Sequence, residues 1–269
     1  MTSTAKHIRT SLSTYASPEK ATVYARFFKT GKGEYGEGDR FLGIMVPDVR
    51  KVAKAYYKQV TLNTIQKLIQ SPYHEMRLCA LVMLVYQYNI ADDSSKQQIY
   101  TFYLRNTKFI NNWDLVDLTA PNIVGDFLLK NISVTEDTYF AQTTGFSRGV
   151  RRKQNTVSRE KLPIILVELS RSQSLWERRI AILSTFAFIR AGKHQETFAL
   201  AKRLLHDKHD LIHKAVGWML REVGKRVDQK LLCAFLDKHA DTMPRTMLRY
   251  AIEHLTPQKR KYYMHLKNS

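Results

Sequence analysis

The chain has 269 residues, 44% of them hydrophobic, with 43 Lys and Arg against 24 Asp and Glu and a formal net charge of +19. That length suits one large domain or two small ones with a real core, and no apolar run approaches the ~18 residues of a membrane span. The polar stretch from Met1 to Lys20 lacks the apolar middle of a secretory signal, and Cys79 and Cys233 offer neither a disulfide framework nor metal spacing. A reducing cytoplasm (nucleoid-associated, given the charge), no membrane and no metal are the expectations. With an isoelectric point near 9.9, the partner to expect is a polyanion, nucleic acid above all. A generically basic surface, or adhesion to ribosomes or lipid, is the bland alternative.

In chain order, Pro18 to Lys29 reads as a helix, with Ser17 as its N-cap and Glu19 in its first turn. Residues 30–39 hold four glycines and must be a loop. They lack the Gly-Lys-Ser/Thr ending of a phosphate loop, and their acids would repel a phosphate. A structural connector is favoured over a mobile ligand contact. Phe41 to Pro47 leads into a helix from Asp48.

From Leu62 onward the apolar period is near 3.6 residues, and short helices alternate with longer, more apolar ones. The pairs are Leu62–Gln70 with Tyr73–Tyr88, Ser94–Lys108 with Trp113–Leu129, and Leu162–Arg171 with Leu175–Arg190. Two more follow, His194–His206 with Leu211–Val223 and Asp228–His239 with Met243–His254. Five successive pairs indicate an all-α fold, an α-solenoid of antiparallel helix pairs of the HEAT or armadillo kind. The expected organisation is a single repeat domain over residues 1–269, monomeric, with a concave basic cleft. Overlaying the second helices aligns Arg77, Asp117, Arg179, Lys214 and Arg249, separated by 40, 62, 35 and 35 residues. The long step implies roughly 25 extra residues, located at about 133–158, where Arg148, Arg151, Arg152 and Lys153 cluster. The sequence leaves two expectations for that insertion, a groove grip through these cations or a disordered loop.

Four of the five aligned positions are cationic, which suggests a stripe suited to a phosphate backbone. Asp117 is the exception. It lies four residues after Trp113, so both share one helix face, and an acid where a polyanion binder wants a cation is either neutral to binding or there for chemistry. Asp114, one residue on from Trp113, points elsewhere and reads as a helix N-terminal acid. Singly, a tryptophan beside an acid is more often a core residue beside a solvated one. Trp176 reads as a packing anchor, and the tyrosines from Tyr56 to Tyr100 as core and groove lining.

Several stretches resemble the AlkD family of bacterial DNA alkylation-repair glycosylases, built from HEAT-like repeats. They are Ala25-Arg26-Phe27-Phe28, Phe41 through Pro47, Trp113-Asp114-Leu115-Val116-Asp117, Leu175 through Ala181 and Asp210 through Trp218. The resemblance implies a monofunctional, cofactor-free glycosylase that removes cationic N3- or N7-alkylated purines from double-stranded DNA. It implies Asp117, Trp113 and Trp218 at the deoxyribose, with Arg179 at the nearby phosphate. The overlay adds Lys214, Arg77 and Arg249, and the insertion adds Arg148 and Arg152, as phosphate contacts. Phe27 stands where the family often has tyrosine, and the glycine loop and the insertion are further departures. The rival readings are a non-catalytic binder of damaged or branched DNA on the same face, and a scaffold for an acidic peptide.

Overall fold

The computed structural model describes residues 3–131 and 162–266. The expected insertion at about 133–158, with Arg148, Arg151, Arg152 and Lys153, lies outside the described residues. Every regular element among the described residues is helical, and an isolated bridge between Arg40 and Tyr73 is the β feature present. The chain divides into two compact units, Met1–Thr119 and Ala120–Ser269.

The first unit holds α1 (Ser3–Ser13), α2 (Pro18–Phe27), α3 (Val46–Tyr56), α4 (Leu62–Ile69), α5 (His74–Ile90), α6 (Asp93–Arg105) and α7 (Trp113–Thr119). α1 was not expected from the polar N-terminal stretch. Its apolar residues Ala5, Ile8 and Leu12 are buried at the three-to-four spacing of a single helix face, and polar residues fill the rest. Ser17 caps α2 as expected, its hydroxyl accepting the Lys20 N–H. α5 is the axis of the unit. It is apolar nearly all round, buries every residue from His74 to Val85 and packs against α3, α4 and α7, the pattern of a helix with no solvent face.

The second unit holds α8 (Asp126–Lys130), α9 (Ile164–Arg171), α10 (Leu175–Arg190), α11 (Gln195–Leu204), α12 (Asp210–Arg226), α13 (Gln229–His239), α14 (Arg245–Ala251) and α15 (Pro257–Leu266). α10 plays the part that α5 plays in the first unit, packing against α9, α11 and α12. Trp176, in its first turn, is buried, in keeping with a packing anchor. Apart from Trp113–Leu129, the helices of the expected pairs are present, with ends shifted by up to three residues.

One expected helix is broken. Trp113–Leu129 is not continuous: after α7 the backbone widens into a π-type turn over Pro121–Gly125 before α8 begins. Pro121 has no N–H to give the regular ladder, and the Gly125 N–H reaches back five residues to the Ala120 carbonyl at 2.8 Å. This turn lies against α10 so closely that a Cβ on Gly125 would sit 2.2 Å from the Ser184 carbonyl oxygen.

The cysteines differ in setting. Cys79, on α5, is sealed in the core, and burial pushes its thiol up to about 12. Cys233, on α13, is partly exposed, with the Lys259 ammonium 3.7 Å from its sulfur.

A second close approach sets a stability test. A Cβ on Gly217, within α12, would meet the Met247 carbonyl oxygen of α14 at 2.4 Å and the Tyr250 Cβ at 2.6 Å. In an open helix Gly→Ala gains about 1 kcal/mol. Here the added methyl forces the two helices apart, so Gly217→Ala should instead cost about 1–3 kcal/mol in chemical denaturation. A neutral or stabilising result would show that the pair can spread freely.

Candidate functional site

Trp113 and Asp117 stand on α7, the first and fifth of its seven residues, both half-buried. A helix that short is held by its ends rather than by its own propagation. At its start Asn112 is fully buried, and its side-chain oxygen accepts the Trp113 N–H at 2.9 Å. At its end the Thr119 hydroxyl donates to the Leu115 carbonyl, and the buried Tyr103 hydroxyl donates in turn to Thr119 Oγ1 at 2.9 Å. Burial, with the Asp117 charge adding to it, pushes the Tyr103 phenol well above its usual range against the lowering hydrogen bond to Thr119.

Asp114, set aside in the sequence as an acid on another face, is the third tether. Its Oδ2 accepts from His74 Nε2 at 2.8 Å, while His74 Nδ1 meets Asp39 Oδ2 at 3.3 Å. Asp39 also accepts from Arg77 Nη2 at 2.7 Å and, more weakly, from the side-chain amides of Asn111 and Asn112. Burial opposes charge on His74, but the Asp114 carboxylate and the hydrogen bonds to both acids outweigh it and raise its pKa to about 9. For Asp39, burial is likewise outweighed by the His74 hydrogen bond, the Arg77 and His74 charges and the Asn112 amide, which hold it below the ordinary value. Next along α5, the Glu75 carboxylate accepts the backbone N–H groups of Leu42, Gly43 and Ile44 at 2.8–3.2 Å.

The acids of the glycine-rich loop are thereby accounted for. Glu34 and Glu37 accept from the Gly31 and Gly33 amides at 2.8 Å each, and Asp39 enters the buried network. Around this frame lies an aromatic stack. Phe28 is parallel to Trp113 at 5.3 Å and to Phe41 at 5.0 Å, and both phenyl rings lie against His74 at 4.9 and 4.8 Å. Phe27, 60% exposed, meets Trp113 edge-on at 6.0 Å. Sequence reasoning noted Phe27 for its missing hydroxyl but not this ring contact, and it missed His74 altogether. The signal was present in three polar residues in the first turn of an otherwise apolar helix.

The second unit carries Trp218, half-buried on α12, its indole N–H donating to Glu222 at 3.3 Å and its ring 6.1 Å from Phe186. Glu222 also binds Arg226 at 2.6 Å and lies beside Arg221, which pairs with Glu253. Burial raises the Glu222 carboxyl, but Arg226, the Trp218 N–H and Arg221 hold it below its ordinary value. Glu222 thus serves arginines. Glu177 accepts from the Ser172 hydroxyl, while Arg178 pairs with Asp207.

The repeat register is real, but the stripe is not uniform. Asp117, Arg179, Lys214 and Arg249 are each the fifth residue of their helices, and Arg77 is the fourth of its own. Arg77 is corrected as a phosphate contact: it is 4% exposed, and its terminal nitrogens serve Asp39 and the Ser71 carbonyl. Arg179 is 5% exposed, with Nη1 donating to the Leu211 carbonyl at 2.6 Å, so it braces the first turn of α12. Lys214 pairs at 2.8 Å with Asp210 on the surface, and Arg249 is exposed. His209 and His213 have the i,i+4 spacing of metal ligands, which the sequence reading passed over. His209 Nδ1 accepts the Leu211 N–H, and His213 Nε2 donates to the Asp207 carbonyl. Among the described residues no group of three or more potential metal ligands occurs, and no helix is long and apolar enough to cross a membrane.

A family model described as DNA alkylation repair enzyme matches residues 8–142 and 151–255. A solved structure described as a predicted DNA alkylation repair enzyme from Enterococcus faecalis aligns with a TM-score of 0.63 at 14% identity, over 90% of this chain and 97% of that one. At that identity the likeness is one of fold. No curated protein matches.

The buried imidazolium has a measurable signature. Its pKa is raised from 6.5 to about 9, so the folded state holds the proton that the unfolded state releases. Its stabilisation is full below pH 6.5 and is lost as pH rises through about 9. The midpoint of thermal unfolding should fall across that window by the equivalent of roughly 3 kcal/mol. In His74→Gln the fall should vanish, and a wild-type midpoint flat from pH 6.5 to 9 would contradict the network.

Proposed function

The chain belongs to the DNA alkylation repair enzyme family, and from that premise we propose that it is a DNA glycosylase. In this reading it hydrolyses the bond between deoxyribose and a cationic N3- or N7-alkylated purine in duplex DNA. The observation that carries the proposal is α7: a half-buried tryptophan and a half-buried carboxylate on one face of a seven-residue helix tied down at both ends.

An alkylated purine already carries positive charge, so it departs with the bonding electron pair and leaves neutral, with no general acid. The sugar left behind is oxocarbenium-like. A carboxylate at Asp117 stabilises that charge, orients water toward C1′ and takes up its proton as the new C–O bond forms. The indole face of Trp113 suits the cationic sugar, and that of Trp218, considered by itself, is likewise suited to a cationic group. The reaction needs neither cofactor nor metal. Arg179 is read as the strut that fixes α12, and Lys214 and Arg249 as phosphate contacts that hold the duplex without reading its sequence. The Lys214–Asp210 pair is a surface one, worth ~1 kcal/mol or less, so a phosphate can displace its acid.

Two measurements test the reading. Wild-type protein should free 3- or 7-methylpurine from methylated duplex, and Asp117→Asn should lose release about 100-fold or more while its DNA affinity stays within a few-fold. Protein that binds DNA with a steep salt dependence but frees no base would instead be a non-catalytic binder, and no salt-dependent binding would leave the peptide scaffold. Separately, Arg249→Ala should weaken binding to any sequence alike and lower the slope of log K against log salt by about 1. An unchanged slope would remove Arg249 from the interface.

A further inference from the structure

We propose that His74 is a positioning residue, which as a fixed imidazolium between Asp39 and Asp114 sets the pose of α7 and thereby of Trp113 and Asp117. This rests on the reading that α7 carries the chemistry.

The protonation state follows from geometry before any titration is considered. Both ring nitrogens face carboxylate oxygens, at 3.3 and 2.8 Å. A carboxylate only accepts, so both nitrogens must donate, and only the charged ring has two N–H groups. The remaining charged neighbours are Arg77, which shares Asp39, and Glu75, which is engaged by the amides of residues 42–44. The rings of Phe28, just after α2, and Phe41 close over the imidazole, a setting that favours a cation.

The tether is specific to α7. Asp114 is the one acid in the first turn of that helix, and its Oδ2 is held by His74, while its Oδ1 is buried with no hydrogen-bond partner. Neutralising His74 would therefore leave a half-buried carboxylate with at most one donor, and the helix start would shift to reach water. Trp113 moves first in such a shift, because it stacks on Phe28, the ring that also covers His74. Asp117, one turn on along a short stiff helix, moves with it, and a displacement of an ångström at a reacting group is enough to slow chemistry by orders of magnitude.

The experiment pairs an activity readout with one that needs no activity. Indole N–H resonances of the full chain are followed from pH 7 to 10, with the Trp113 signal assigned by Trp113→Phe. The Trp113 signal should titrate near pH 9, with those of Trp176 and Trp218 fixed. In Asp114→Asn, which removes one of the two anions, the midpoint should move to lower pH, and in His74→Gln the transition should be absent. In single-turnover release, His74→Gln should be slower by about 10- to 100-fold with duplex affinity within about twofold, and the wild-type alkaline limb should disappear in the variant. Wild-type titration alone decides the matter if His74→Gln does not fold. A Trp113 signal flat to pH 10, or His74→Gln releasing base at the wild-type rate, overturns the proposal. A Trp113 signal that titrates in a protein releasing no base keeps the positioning role and rejects the glycosylase reading instead.

Discussion

The first turn of α5 is the constraint from which the first unit is built. A helix with no solvent face has to bury whatever its first turn carries, and here that turn carries His74, Glu75 and Arg77. Each buried charge needs partners whose absence would be far more costly than their presence is stabilising. Those partners are Asp39, Asp114 and the amides of residues 42–44. Satisfying one helical turn therefore fixes the end of the glycine-rich loop, the entry to α3 and the start of α7. The residues that look like chemistry, Trp113 and Asp117, take part of their placement from this electrostatic bookkeeping, alongside the Phe28 stack on Trp113 and the Thr119 tether at the end of α7.

Much of the helical order was legible because it rests on apolar period, which a sequence displays directly. The pairs from Leu62 onward, the Ser17 cap and the loop character of residues 30–39 all follow from local rules. What stayed hidden depends on where an element sits. α1 is polar in composition, and its buried face rests on three residues, Ala5, Ile8 and Leu12. The break after Thr119 was announced by Pro121, yet the five-residue reach from Gly125 depends on contact with α10. Asp114 was dismissed because helix spacing separates it from Trp113, and spacing along one helix says nothing of a histidine forty residues earlier.

The repeat overlay illustrates the same limit from another side. It located equivalent positions correctly as a matter of register, since four of its five residues occupy the fifth place of their helices. It then assumed that equivalent register means equivalent exposure. Arg77 and Arg179 are themselves buried, so their charge turns inward to Asp39 and the Leu211 carbonyl, whereas Lys214 and Arg249 keep a solvent side. A repeated cation is thus used in two ways, as an internal brace on the central helices and as an outward charge on later ones.

The contrast between the two thiols reaches beyond packing. Cys79 is shut in the core with its proton held up to about 12, whereas Cys233 stands partly open on α13. Only a thiolate attacks soft electrophiles at a useful rate, so a maleimide dye offered to the native protein should find Cys233 and leave Cys79 untouched. The natural sequence thereby supplies a single addressable handle, on a helix separate from those bearing Trp113, Asp117 and Trp218, through which encounters with partner molecules can be followed optically without altering a residue.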